Sequence, residues 1–172
     1  ADQRRSLIGK QAKVHTAGKP DSSDTVYLAA GDEDGNMVSF IQSHFSDFGS
    51  AVVVPGTGIC MQNRGRSFSL DPLHDNALAP RKRTRHTIIP GFLTKDGEAM
   101  GPFGVMGGTM QPQGHVQVVS QLLDFQQNPQ AALDAPRWRW EHGKTVLVER
   151  GCPDHIVQML IRQGHDIRYS AE

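Results

Sequence analysis

Two apolar segments separated by a tight turn constrain the fold of this chain more than any other feature. Residues 25–30 and 37–41 are rich in β-branched and aromatic side chains, and Asp32–Asn36 between them has turn-forming composition. The pattern predicts a β-hairpin. Neither segment alternates cleanly between apolar and polar residues, which predicts that both faces of the hairpin are covered within a layered α/β domain.

The rest of the chain predicts alternating helices and strands. Apolar spacing favours a helix over 116–125, and Asn128 followed by Pro129 is typical of a helix start. Segments 137–140 and 145–149 are predicted strands, and 153–163 is a predicted helix ending at Gly164. Before the hairpin, residues 3–14 are predicted to be helical and residues 18–23 to form a polar linker.

Composition excludes several classes of function. The chain has 172 residues with 18 basic and 18 acidic side chains, so its net charge favours neither nucleic acid nor an acidic membrane surface as a partner. No apolar run approaches the length of about 18 residues that a membrane span needs. Two cysteines permit at most one disulfide, and the eight histidines show no zinc-ligand spacing. We therefore predict no metal site and no membrane span.

Two local features suggest chemistry without proving it. Gly107 and Gly108 belong to a glycine-dense stretch before a predicted helix, where backbone N–H groups are open to a ligand. A Gly-Gly pair taken alone is more often a tight turn. Thr25 opens the first strand directly after Asp24, and a β-branched residue at a strand start is ordinary when taken alone.

An ordered series of motifs is more specific than any of these features. The chain resembles the small subunit of the γ-glutamyltranspeptidase family, in particular its γ-glutamyltransferase and cephalosporin-acylase-like branch, from about residue 24 to about residue 164. The motifs that carry the resemblance are DTVYLAAGDEDGNMVSFIQS, FGS, PGTGI, NALAP, TIIPGF, GPFGVMGG, QPQGHVQVVSQLLDF and NPQAALDAPRWRWE.

The resemblance implies an α+β fold, the four-layer αββα sandwich of N-terminal-nucleophile hydrolases, here as a partial chain. It implies a precursor that cuts itself between Asp24 and Thr25. Residues 1–24 would be the tail of the large subunit, and residues 25–172 a small-subunit catalytic domain that is short at its C-terminal end. The large subunit of the same precursor is then a partner, a homo-oligomer is compatible with the pattern, and no cofactor is implied. The compartment stays open between cytoplasmic, periplasmic and secreted.

The catalytic roles that the resemblance implies fall on four positions. Thr25 would be the nucleophile, activated by its own α-amino group once the bond to Asp24 is cut. Ser43 aligns with a hydroxyl residue that orients the nucleophile, although a strand-end serine often bonds only its local backbone. Gly107 and Gly108 align with the oxyanion hole.

The substrate-binding positions depart from the family pattern. Arg64 replaces a common glutamine, and Ser67 replaces an aspartate that pairs with the substrate ammonium. His86 and Thr87 align with two serines that hold the substrate carboxylate, although a partly buried histidine in a surface loop is an equal alternative for His86. Phe45 stands where better-known members carry a substrate-contacting asparagine. These changes favour acyl groups that carry a carboxylate and need no ammonium partner.

The sequence therefore predicts an autoprocessing hydrolase or acyltransferase. Its donors would be small γ-glutamyl or related carboxylate-bearing acyl amides, of glutathione-like or glutaryl type, with water or an amine as acceptor. A different class of function is the alternative, since residues of the large subunit are missing. In that case the chain is an unprocessed or non-catalytic fragment that acts as a structural or interaction module.

Overall fold

The structure is a computed structural model that describes residues 25–170. The predicted helix over 3–14, the linker over 18–23 and Asp24 lie outside the described residues. The strands are β1 (Thr25–Gly31), β2 (Met37–Ser43), β3 (Gly91–Lys95), β4 (Glu98–Phe103), β5 (Trp138–His142), β6 (Thr145–Val148) and β7 (Asp166–Tyr169). The α-helices are α1 (Gln111–Leu123), α2 (Pro129–Asp134) and α3 (Asp154–Arg162), and Arg64–Ser67 and Gly108–Met110 are short 3-10 helices.

The described residues form two compact units, 25–115 and 116–170. The first unit contains two antiparallel hairpins, β1–β2 and β3–β4. The second contains a three-stranded sheet in which β5 and β6 are antiparallel and β6 and β7 are parallel, with α3 in the connection between β6 and β7. The α+β class predicted from the sequence is confirmed.

Local sequence accounts for the element boundaries. The turn between β1 and β2 closes because the Asp32 carboxylate accepts hydrogen bonds from the backbone N–H groups of Asp34 and Asn36. The Asn128 side chain accepts the Ala131 N–H at 2.9 Å and so caps α2, as the sequence predicts. Helix α1 begins five residues before the predicted start, because the apolar spacing that marks it is carried only by its later turns.

The core of the second unit forms around the buried strand β6. Val146, Val148 and Val157 are buried together, and Trp140 and Ile167 pack against them. Trp140 also donates its indole N–H to the Gly143 carbonyl at 3.0 Å, so its polar atom is satisfied while its ring packs against the core.

The first hairpin differs from its prediction. Its two strands and the turn between them form where expected, but Val26 and Val38 are 55% and 50% exposed and Phe40 is 45% exposed. The described residues therefore do not supply the cover that was predicted for both faces.

Two further expectations can be compared with the structure. Cys60 and Cys152 are free thiols, so the disulfide that the sequence permitted is not formed. Within residues 25–170, no helix is long and apolar enough to cross a membrane, and no group of three or more metal-ligating side chains is gathered in one place.

The partly buried His115 predicts how stability depends on pH. Its ring meets Phe103 edge-on at 5.0 Å, and burial lowers its pKa below the usual value of 6.5. The unfolded chain therefore takes up a proton first as pH falls below about 6.5, and stability is lost as pH falls through the lower folded pKa. We expect His115→Phe, which keeps a ring against Phe103, to lose less thermal stability than wild type between pH 7.5 and pH 5. Equal losses in the two proteins would contradict this, and thermal unfolding at both pH values measures them.

Candidate active site

The register of the first hairpin brings the predicted nucleophile and its predicted orienting residue together. Thr25 begins β1, Ser43 ends β2, and the two are direct cross-strand partners. Paired residues of antiparallel strands project from the same face of the sheet with their Cβ atoms about 4.5–5.5 Å apart. The Ser43 hydroxyl oxygen also accepts the Phe45 N–H at 2.8 Å, which fixes this side chain at the end of the strand.

A cavity of about 580 Å³ opens beside this pair. Its lining contains three residues predicted from the sequence, Thr25, Ser43 and Gly107. A threonine, a serine and a glycine therefore line one space large enough for a small acyl group.

The Gly107–Gly108 turn has a backbone that only glycine adopts readily. Their φ angles are +126° and +56°, and the Gly107 carbonyl accepts the Met110 N–H at 3.0 Å. This geometry leaves Gly107 exposed at the cavity, whereas Gly108 is buried and does not line it. Gly107 therefore lines the cavity and Gly108 lies behind it, and the oxyanion role stays a prediction for both.

A close approach between backbone and side chain holds this glycine-rich segment against β1. A Cβ atom on Gly104 would lie 2.5 Å from the Tyr27 ring, so any larger residue would push the segment away. The Ser39 hydroxyl donates to the Phe103 carbonyl at 3.4 Å, and the Tyr27 and Ser39 hydroxyls lie 3.1 Å apart. These contacts place the segment that leads to Gly107 alongside the strand that carries Thr25.

Arg64 and Thr87 form a second cluster. Arg64 is only 4% exposed, its Nη1 donates to the Thr87 hydroxyl at 2.5 Å, and its guanidinium lies 5.2 Å from the centre of the Phe45 ring. No acceptor among the described residues reaches its Nη2 atom, which is also buried. Burial lowers the pKa of this guanidinium below its usual value, and the group still carries its charge at neutral pH.

This arginine is a buried cation without a counterion among residues 25–170. Contact with the Phe45 ring stabilises the charge through a cation–π interaction, and the Thr87 hydroxyl satisfies one nitrogen. Neither supplies a negative charge. The arrangement can accept an anion at Nη2, and a carboxylate is the group whose geometry matches a guanidinium best.

The other two predicted substrate residues lie apart from the cavity lining. The half-buried Ser67 ends the 3-10 helix that begins at Arg64, and its carbonyl accepts the Asn76 amide at 2.6 Å. His86 is exposed, and its Nδ1 atom accepts the Ile88 N–H at 3.2 Å. Arg64 and Thr87 are thus brought into contact with each other, whereas Ser67 and His86 join neither cluster through a side-chain contact described here.

Sequence reasoning missed four residues of the cavity wall. They are Val26, Gln42, His44 and Met106. Each directly precedes or follows a predicted site residue in sequence, so adjacency to Thr25, Ser43 and Gly107 was the available signal. The predicted cleavage position cannot be compared in the same way, because Asp24 lies outside the described residues.

Comparison with known proteins identifies the family of this chain. The sequence profile named γ-glutamyltranspeptidase matches residues 1–172. The chain belongs to the γ-glutamyltranspeptidase family. Members of this family to which it is similar are amidohydrolases and acylases, and both curated relatives described next are named as proenzymes.

Three of these γ-glutamyltranspeptidase-family relatives show the degree of similarity. A glutathione hydrolase-like YwrD proenzyme from Bacillus subtilis is 45% identical over 170 residues, which cover 96% of this chain and 32% of the relative. An oxamate amidohydrolase proenzyme from Klebsiella pneumoniae is 38% identical over 155 residues, covering 87% and 29%. The crystal structure of a cephalosporin acylase from Bacillus halodurans has a TM-score of 0.88 and 62% identity, covering 99% of this chain and 31% of that one.

The chain therefore spans about a third of the length of the relatives that it matches. The acylase has the same residue as this chain at more than half of the compared positions, and this similarity supports the α+β fold of each unit.

Proposed function

We propose that this chain is the nucleophile-bearing part of an autoprocessing N-terminal-threonine hydrolase or acyltransferase, with Thr25 as the nucleophile. The observation that carries the proposal is the cavity lined by Thr25, its cross-strand partner Ser43, and Gly107. Acyl transfer needs a nucleophile, a group that orients it, and a donor for the developing oxyanion, and residues of these three types surround one space. The names of the relatives, which are hydrolase and amidohydrolase proenzymes, support the same class of reaction.

The first reaction is cleavage of the precursor. The Thr25 hydroxyl attacks the Asp24 carbonyl, the C–N bond breaks, and the chain is left as an ester with a free α-amino group on Thr25. Water then hydrolyses the ester, which releases the Asp24 carboxylate and restores the hydroxyl. The new amine has a reference pKa of about 7.7–8.0, so a useful fraction is unprotonated near pH 7 and can act as the base.

The second reaction is turnover of an external amide. The α-amino group of Thr25 takes the proton from the Thr25 hydroxyl while the hydroxyl oxygen attacks the carbonyl carbon of the substrate amide. The oxyanion then forms next to the Gly107 turn. The amine leaving group departs with that proton and leaves an acyl ester on Thr25. Water, or an acceptor amine, attacks the ester and returns the hydroxyl. One oxyanion donor typically contributes about 10²–10³ to the rate of such steps.

The Arg64 cluster supports a substrate class, which is acyl amides that carry a carboxylate on the acyl part, such as γ-glutamyl or glutaryl donors. A carboxylate that reaches Nη2 would satisfy a buried, unpartnered nitrogen and neutralise a buried charge. Thr87 holds the guanidinium in place for it. Ser67 offers no carboxylate for a substrate ammonium, so donors without an α-amino group are expected to bind as well as those that carry one.

The proposal extends to the whole molecule. Residues 1–24 would be the tail of a large subunit and residues 25–172 part of the small-subunit domain, joined in a four-layer αββα sandwich after cleavage. The large subunit would then cover the exposed apolar side chains of β1 and β2, of which Val26 and Val38 are at least half exposed.

The intact mass of the complete gene product, before and after incubation, tests the proposal. We expect two fragments, the smaller beginning at Thr25, and a mass increase confined to that fragment when an acyl donor is added and the reaction is quenched. A single uncut mass with no acyl adduct would contradict it, and would favour the structural or interaction module.

A further inference from the structure

Asn63 joins two parts of the site that the proposed reaction uses separately. It directly precedes Arg64, and all of its side-chain hydrogen bonds described here go to the segment that follows Ser43. We name residues 44–49 the 44–49 loop. Its backbone has positive φ at three positions, Phe45 (+83°), Asp47 (+48°) and Gly49 (+68°).

The 44–49 loop is held in an unfavourable conformation. Phe45 and Asp47 are not glycine, and L-residues with a side chain rarely adopt a backbone φ in this range. A backbone in this conformation persists only when contacts with surrounding residues hold it there. Gly49 has no alternative residue, because a Cβ atom there would lie 2.4 Å from the Met61 carbonyl oxygen.

The hydrogen bonds of Asn63 hold the 44–49 loop in this conformation. Its Oδ1 atom accepts the Ser46 N–H at 3.1 Å, and its Nδ2 atom donates to the carbonyl oxygens of Ser46 at 3.1 Å and Gly49 at 2.9 Å. Its backbone N–H donates to the His44 carbonyl at 3.1 Å. His44 and Ser46, the two neighbours of Phe45, are thereby hydrogen-bonded to Asn63, which directly precedes Arg64.

Two functional contacts depend on where Phe45 lies. Its ring lies under the Arg64 guanidinium at 5.2 Å, and its N–H donates to the Ser43 hydroxyl at 2.8 Å. Ser43 is the cross-strand partner of Thr25. A shift of Phe45 would therefore disturb the cation site on one side and the hydroxyl beside the nucleophile on the other.

We infer that Asn63 is a positioning residue that couples the Arg64 carboxylate site to the Ser43–Thr25 pair by fixing the 44–49 loop. It touches no substrate and acts through Phe45. The inference rests on the proposed function in assigning a carboxylate to Arg64, but the structural link itself does not depend on catalysis.

Asn63→Ala in the complete gene product tests the inference, with Asn128→Ala as the matched control. Both variants remove a side-chain amide, and Asn128 caps α2 through a hydrogen bond of its own, away from the 44–49 loop. We expect hydrogen–deuterium exchange over residues 44–49 to accelerate in Asn63→Ala and to stay at the wild-type rate in Asn128→Ala. We also expect KM for glutaryl-p-nitroanilide to rise about threefold to tenfold in Asn63→Ala, the usual effect of losing such hydrogen bonds, with KM for pentanoyl-p-nitroanilide unchanged.

The outcomes separate the inference from the proposed function. Unchanged exchange over residues 44–49 would overturn it whatever the activity, and faster exchange with equal rises in KM for both donors would reduce Asn63 to a structural residue and overturn it as well. Faster exchange together with a selective loss of the carboxylate-bearing donor supports it. A wild-type protein that hydrolyses neither donor would contradict the proposed function alone, because the exchange comparison tests the loop directly.

Discussion

Thr25→Ala is expected to abolish precursor cleavage and turnover together. One hydroxyl performs both attacks, and without cleavage the α-amino base is never freed. Thr25 is the first residue of β1 and lines the cavity. Alanine at this position keeps the strand backbone and removes only the hydroxyl and one methyl group. We expect turnover to fall on the order of 10⁴–10⁶-fold, the range typical of a deleted nucleophile. Intact mass and p-nitroanilide release measure the two effects.

Thr25→Ser is the matched control, because it restores the hydroxyl without the methyl group. We expect cleavage and turnover to return in part, at reduced rates, since serine loses the rotamer restriction that a β-branched side chain has. A Thr25→Ala protein that still hydrolyses the donor would reject Thr25 as the nucleophile. Cleavage that survives while turnover is lost would mean that another group cuts the precursor.

The sequence predicted best those features of the hairpin and the glycine turn that a local pattern determines. The apolar segments and the Asp32–Asn36 turn determine the hairpin register, and that register alone makes Thr25 and Ser43 partners. Gly107 was proposed from the family resemblance, and its positive φ of +126° fits the tight turn that a Gly-Gly pair indicates. In each case a short stretch of sequence contains the whole physical constraint.

The part that the sequence did not predict depends on contacts between distant segments. The stack of Arg64 on Phe45 and its hydrogen bond to Thr87 join three segments, and no periodicity or spacing encodes their meeting. The prediction that both faces of β1 and β2 are covered was wrong for the described residues for a related reason. An apolar pattern states that a face is buried, but it does not state which chain segment buries it.

The two departures from the family pattern at Phe45 and Arg64 are in contact with each other. Each substitution alone replaces an amide that would bond a polar substrate group. Together they build a different device, in which an aromatic ring supports a guanidinium that has no carboxylate partner among residues 25–170. This pairing explains how a buried arginine is tolerated, and under the proposed function the substrate supplies the negative charge.

Arg64→Met is therefore expected to raise KM for a carboxylate-bearing donor by about 10-fold to 150-fold. The estimate follows from about 1.5–3 kcal/mol for a hydrogen bond to a charged group. Methionine fills similar space without a charge to desolvate, so the fold is expected to survive the change. For pentanoyl-p-nitroanilide, which has the same chain length as the glutaryl donor and no carboxylate, we expect KM to stay within about twofold, since the lost hydrogen bond contributes nothing to its binding.

Arg66→Met is the matched control, because Arg66 belongs to the same 3-10 helix and is exposed. We expect it to leave KM for both donors unchanged. Arg64→Lys keeps the charge but loses the planar fork that bonds Thr87 and a carboxylate at once, so its KM should lie between those of wild type and Arg64→Met. If Arg64→Met raised KM equally for both donors, the arginine would support the fold of the cavity wall and the substrate carboxylate would bind elsewhere. An unchanged KM for the glutaryl donor would likewise remove Arg64 from the substrate site.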